Sequence, residues 1–168
     1  MTRNNKEGAS SGFRTGNVPV EGPQDSQSEP IGAPVPPHLA QLKVIPDWRG
    51  KLCVLEKATG LPFDINRVYF LYDVPSGSER GGHAHHELQQ YLIAISGSFT
   101  VDLVTRDENV SYRLDRPDQA LHIGPYTWRE IHSFSSNAVC LVLASQEYSE
   151  EDYIRSRADF DKLVGITS

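Results

Sequence analysis

Cysteine is scarce in this chain: two residues in 168, Cys53 and Cys140, each inside an apolar run (KLCVLE and AVCLVLAS) and neither in a CxxC pair. No disulfide framework follows from such a pattern, and buried free thiols in a reducing, cytoplasmic compartment are expected. Positive charge is also short. Sixteen Lys and Arg stand against twenty-two Asp and Glu, a net charge of -6, so the chain has no general electrostatic reason to bind nucleic acid. Long hydrophobic runs are missing too. Nothing approaches the ~20 apolar residues of a membrane span, and the start, MTRNNKEGASSGFRTG, lacks the apolar core of a secretory signal, so no membrane partner is expected.

What is present divides at about residue 38. Residues 1 to 38 hold six of the eleven prolines, with Gly and Ser between them and only isolated apolar residues. Such a stretch cannot bury enough surface to offset its ordering entropy, so it is expected to be a disordered tail. From Leu39 the chain becomes short apolar or alternating runs: QLKVI, KLCVLE, RVYFLYDV, GGHAH, QQYLIAI, SFTVDLV, VSYRL, ALHIG, WREIHSF and AVCLVLAS. Turn-forming clusters such as PSGS, SGS, DEN and SSN separate them. About ten short strands predict one all-β sandwich or barrel over 39–168. The end differs. Ser149 before Glu150, Glu151 and Asp152, followed by Tyr153, Ile154, Phe160, Leu163 and Val164, predicts one C-terminal helix begun at a serine cap.

The chemistry-bearing stretch is RGGHAHHELQQ, residues 80–90. In a strand, residues two apart share a face, so His83 and His85 project together while Ala84 points away. The pattern resembles the first motif of the cupin superfamily, where metal-binding members carry a glutamate four or five residues after the second histidine. Gln89 and Gln90 stand there instead, and an amide is a poorer ligand than a carboxylate. Among the residues after Pro125, Glu130 is the one that could complete a two-His-one-carboxylate triad, whereas His132 falls at the wrong distance. No metal and no other cofactor is expected. His132 shares a face with Trp128 and Glu130 if WREIHSF is extended, and spacing alone does not say which way that face points. His86 and His122 carry no argument of their own.

The runs DWRGKLCVLE, LPFDINRVYFLYDVPSGSERGGHAHHELQQYLIAISGSF, IGPYTWREIHSFSS and VCLVLASQEYSEEDYIRSRADF, in this order, resemble the WxcM-like (FdtA/QdtA-type) family of sugar-nucleotide ketoisomerases. The resemblance covers about residues 41–163 and omits the tail. It implies a cupin-type jelly-roll that forms a homodimer and converts dTDP-4-keto-6-deoxy-D-glucose to a 3-keto isomer without a metal. Carried over by position, it makes His83 the base, with His85 beside it. Tyr69, Arg49 and Arg80 would line the substrate site, and Gln90, Trp128 and Glu130 are added as substrate-binding candidates.

The residue types suit that chemistry. Moving a ketone from C4 to C3 requires taking a proton from C3, passing through an enediol and returning a proton to C4. A histidine titrating near ~6.5 can do both at neutral pH. A tyrosine hydroxyl can hydrogen-bond the developing oxyanion, and arginines can hold a diphosphate bidentately. Trp128 could stack on thymine or pack the barrel mouth. Two alternatives remain at this level: a 3,5-epimerase-like enzyme, which also uses a histidine base, and a metal-binding or ligand-sensing cupin without the activity.

Overall fold

The computed structural model describes residues 35–57 and 60–166, so the tail expectation lies outside the described residues except at its end. There the boundary moves. Pro37 is buried and its carbonyl accepts a hydrogen bond from Tyr112 Oη at 3.1 Å, and His38 opens the first strand.

Twelve strands follow in chain order: β1 His38–Gln41, β2 Lys43–Asp47, β3 Gly50–Val54, β4 Arg67–Leu71, β5 Arg80–His85, β6 Gln90–Ser96, β7 Phe99–Val104, β8 Asn109–Leu114, β9 Gln119–Ile123, β10 Trp128–His132, β11 Val139–Ala144 and β12 Tyr153–Ile154. They form two five-stranded antiparallel sheets, β1-β9-β6-β11-β4 and β12-β5-β10-β7-β8, while β2 and β3 pair only with each other. Two antiparallel sheets joined by crossing connections and packed face to face are the jelly-roll expected from the strand pattern.

Period-two patterning sets the core. Phe99, Val101 and Leu103 of β7, Leu92 and Ala94 of β6, and Cys140 and Val142 of β11 all turn between the sheets. Cys140 is therefore a buried thiol, pushed up to about 12 by burial, and Cys53 is half-buried and also free. The alternate residues of the first sheet are buried as well, because Phe63, Tyr91, Ile93, Ala120 and Leu143 form a second apolar layer on its outer side. A third small cluster joins Trp128, Ala84, Ile154 and Phe160 outside the other sheet. Gly97 makes the β6–β7 hairpin possible: its φ is +63°, and a Cβ there would lie 2.7 Å from Ala138 Cα.

The C-terminal helix is shorter than the sequence predicts. Ser149 precedes only a 3₁₀ turn, Glu150–Asp152, with no side-chain cap bond, and the chain then adds β12 to the edge of β5. Helix α1 spans Arg157–Val164. Its cap is Ser156, whose Oγ accepts from the Asp159 N–H, and Gly165 closes it in the left-handed conformation. The β12 pairing overrides the acidic start signal, since Tyr153 and Ile154 gain a sheet partner that a helix would deny them.

Candidate active site

The cleft that matters opens at the end of the barrel where β4, β5, β6 and β10 converge. It has a volume of about 380 Å³ and is lined deep inside by Tyr69, His83, Gln90, Arg129, Ile131 and Val142. Arg67, Arg80, Tyr148 and Tyr153 border it as well.

A bulge in β5 aims the histidines. Arg129 of β10 pairs with His83, but the next residue, Glu130, pairs with Gly81, so Gly82 is extra. Gly81 and Gly82 both have positive φ, +93° and +66°, and a Cβ on Gly81 would sit 2.6 Å from the Arg129 carbonyl oxygen. Only glycine fits this bend, and bulges of this kind recur beside active sites. The Gly81 carbonyl, turned by the bend, lies 3.0 Å from His83 Nδ1. A carbonyl only accepts, so His83 carries its proton on Nδ1 and presents a lone pair at Nε2.

His85 shares the face, as its spacing predicted: the two rings meet edge to face with centroids 4.9 Å apart. It lies deeper, 1% exposed, and its Nδ1 is 2.8 Å from Asp152 Oδ2. Asp152 Oδ1 in turn accepts the Glu87 backbone N–H. His85 is thus also an Nδ1–H tautomer, with a buried Nε2 that has no partner. Tyr153 packs on both rings, at 4.9 Å from His83 and 4.2 Å from His85. Burial and the Arg129 guanidinium lower His83 to about 4 and His85 to about 2, so both imidazoles are neutral at physiological pH. Burial raises the Tyr69 phenol, which stays protonated.

The candidates named from the sequence separate into two groups. His83, Tyr69, Arg80 and Gln90 meet at the cleft, with His85 directly behind His83. Trp128 and Glu130 do not join them. On β10 the inward residues are Arg129 and Ile131, so Trp128, Glu130 and His132 occupy the opposite face. There Trp128 packs on Phe160, Trp128 Nε1 donates to Glu130 Oε1 at 3.1 Å, and His132 bonds Asp102 at 2.9 Å. Glu130 therefore cannot complete a metal triad with His83 and His85, and no cluster of metal-ligating side chains occurs among the described residues. Arg49 stands at the tip of the β2–β3 hairpin, exposed and bound to Asp47 at 2.6 Å, away from this chain's cleft.

Arg129, Asp152, Tyr153, Arg67 and Tyr148 were not anticipated. Arg129 was readable in principle, because placing the apolar Ile131 inside forces residue 129 inside too. Asp152 was hidden in an acidic run that looks like a helix start.

A histidine pair at the inner end of a jelly-roll cleft, flanked by a phenol and arginines, suits proton-transfer chemistry, and the comparisons give the class as the sugar-nucleotide ketoisomerases. The family described as FdtA: WxcM-like, C-terminal matches residues 36–165, and the chain belongs to it. It is 42% identical over 122 residues to a TDP-4-oxo-6-deoxy-alpha-D-glucose-3,4-oxoisomerase of Aneurinibacillus thermoaerophilus, a span covering 73% of this chain and 88% of that protein. Among solved structures, it is 39% identical to the sugar 3,4-ketoisomerase QdtA of Thermoanaerobacterium thermosaccharolyticum in complex with TDP (TM-score 0.74, 77% of this chain and 94% of that one). The WlaRB TDP-quinovose 3,4-ketoisomerase of Campylobacter jejuni is 40% identical (TM-score 0.72, 75% and 97%).

Proposed function

We propose that the chain converts dTDP-4-keto-6-deoxy-D-glucose to a dTDP-3-keto-6-deoxyhexose, with His83 as the base. The observation that carries this reading is the tie between His83 Nδ1 and the Gly81 carbonyl, which leaves a neutral imidazole with its Nε2 lone pair unused at the wall of the cleft. His83 takes the C3 proton as O4 gains a proton, giving an enediol. The same imidazolium returns its proton to C4 as the O3 hydroxyl gives up its own and C3 becomes the ketone, so one proton moves from C3 to C4 and one from O3 to O4. Tyr69 donates to the sugar oxygen on which negative charge develops. Arg67 and Arg80 at the rim suit the diphosphate, and Tyr148 and Tyr153 offer rings for the base or sugar.

The chain acts as a homodimer in this reading. Strand β4 is a sheet edge whose outward Val68, Phe70 and Tyr72 are all more than half exposed, and the β2–β3 ribbon, with Trp48 at 93% exposure, pairs with no third strand. Unpaired edges and lone ribbons are covered in stable proteins. A second copy covering them also gives Arg49 a route to substrate, in the partner's cleft. A nucleotide-activated substrate and cysteines without a disulfide support a cytoplasmic location in this reading.

Incubating the protein with dTDP-4-keto-6-deoxy-D-glucose and following the sugar by NMR tests the reading. A 3-keto isomer is expected; an unchanged sugar, or deuterium entering from solvent at C5, contradicts it and the latter indicates epimerase chemistry.

A further inference from the structure

Arg129 is 2% exposed, among the largest fully buried side chains of the described residues, and it sits on the cleft wall beside His83, its pairing partner on β5. Among the described residues it has no ion-pair partner. Its Nη1 donates to Gln90 Oε1 at 2.9 Å, its Nη2 to the Thr127 carbonyl at 2.8 Å, and its Nε has no acceptor at all. Asp152, an acid whose charge reaches it, is already engaged by His85 and the Glu87 N–H. A guanidinium removed from water without a counter-ion is costly, and an apolar residue of similar volume serves packing as well or better.

Its hydrogen bonds show what it arranges. The Gln90 amide could face either way in isolation, but Arg129 donates only, so Oε1 must turn toward it and the NH₂ toward Tyr69. Gln90 Nε2 then donates to Tyr69 Oη at 2.8 Å. A hydroxyl that accepts this bond keeps its own proton for a second partner, and no group among the described residues takes it. The Tyr69 O–H is thereby left to donate into the cleft.

We infer that Arg129 is a positioning residue for the isomerisation: through Gln90 it fixes Tyr69 as a donor to the sugar oxygen, and its charge supplies the positive field in which an enediolate forms. The inference rests on the ketoisomerase reading of the cleft. Its uncompensated charge also keeps protons off the base. His83 is faced by Arg129 from β10, by Arg155 and Glu150 from the segment around β12, by Tyr153 of β12 and by His85 on its own strand. Arg67 and Tyr69 of β4 and Arg80 of β5 also line the cleft. Glu150 pulls the other way but is neutralised by Arg155, 2.5 Å away, so after burial Arg129 is the main influence on whether His83 is neutral.

The test is Arg129→Met, with Arg129→Lys beside it. A purely structural arginine predicts that Met lowers the melting temperature and leaves catalysis per folded molecule alone. A positioning role predicts the reverse: a melting temperature equal to or above wild type, kcat down about 10-fold or more with KM nearly constant, and the acid limb of the rate profile moved up by ~1 pH unit. Combining Arg129→Met with Tyr69→Phe should cost little more than either alone, because both break one chain of bonds. Arg129→Lys keeps the charge and loses the fork, so its acid limb should stay at the wild-type position while kcat falls. If the Met variant does not fold, the Lys variant decides: wild-type kcat in it overturns the proposal. Titrating the His83 ring by ¹⁵N NMR needs no substrate and separates the two claims. A raised His83 midpoint in Arg129→Met supports the field even if the sugar assignment fails, and an unmoved midpoint with unchanged kcat overturns it.

Discussion

The protein has two close histidine pairs, one inside the barrel and one on its outer layer, and the inner one borders the candidate site. His83 and His85 meet at 4.9 Å inside the barrel; His38 and His122 meet at 5.1 Å on its outer layer. The inner residue of each pair is equally sealed, His85 and His122 both being 1% exposed, and each leaves one ring nitrogen unpaired. Burial lowers His122 to about 4, the same direction and extent as His83. Proximity, burial and a depressed pKa therefore do not make a catalytic pair. The difference lies in the surroundings. Around His122 stand Phe63, Tyr91 and the Gln89 amide, which seal its ring from solvent. Beside His83 there is an open cleft, with Arg129 and Tyr69 on its walls.

The sharpest way to break this comparison is to exchange each imidazole for an amide. His83→Asn is expected to lower turnover by ~10²-fold or more while the fold survives, and His122→Asn to leave turnover per folded molecule unchanged. Steady-state rates at matched folded fractions check both, and a comparable loss at His122 would mean the outer layer is not a bystander. Asp152→Asn comes next. It leaves the shape but no longer anchors the His85 Nδ1–H with a charge, so about a 10-fold loss in kcat is expected, less than at His83.

Acid stability should treat His83 and His122 alike, which sharpens the contrast with activity. His83, His85 and His122 all have folded pKa values below the ordinary 6.5. In the window from 6.5 down to about 4 the unfolded chain binds protons that the folded chain refuses. Stability from these groups is full above 6.5 and is lost as the pH falls through that window. Melting temperature measured from pH 7 to pH 4.5 should decline, and either His83→Asn or His122→Asn should flatten the decline by about one proton's worth. The smallest effect is expected at Glu130→Gln: it is half-buried on the outer face, so turnover should stay within about two-fold and stability within about 1 kcal/mol. A large loss in turnover there would return Glu130 to the substrate site.

Much of this was legible in the sequence because a strand has only two faces. The HxH spacing placed His83 and His85 together, and the alternation in SFTVDLV and QQYLIAI gave the barrel and its core. The same rule applied to WREIH without an anchor left its facing open, and Trp128 and Glu130 were counted with the site although Ile131, the apolar member, turns Arg129 inward instead. Asp152 and Tyr153 could not be found by pattern. Their position depends on β12 adding to the edge of β5, a long-range pairing of Tyr153 with His85 and Ile154 with Ala84 that outweighs a local acidic helix signal. Arg49 is a third kind of case: from the exposed tip of the β2–β3 hairpin it would reach substrate only in the two-chain assembly proposed above.

The central claim is that the His83 Nε2 lone pair takes the proton from C3. The direct measurement is the C3–H signal of dTDP-4-keto-6-deoxy-D-glucose in D₂O, followed by NMR with wild type, His122→Asn and His83→Asn at equal folded concentrations. The account predicts that the signal disappears at the same rate with the first two proteins and persists with His83→Asn. Loss of the C3 proton at the wild-type rate with folded His83→Asn would contradict it and pass the role of base to another group in the cleft.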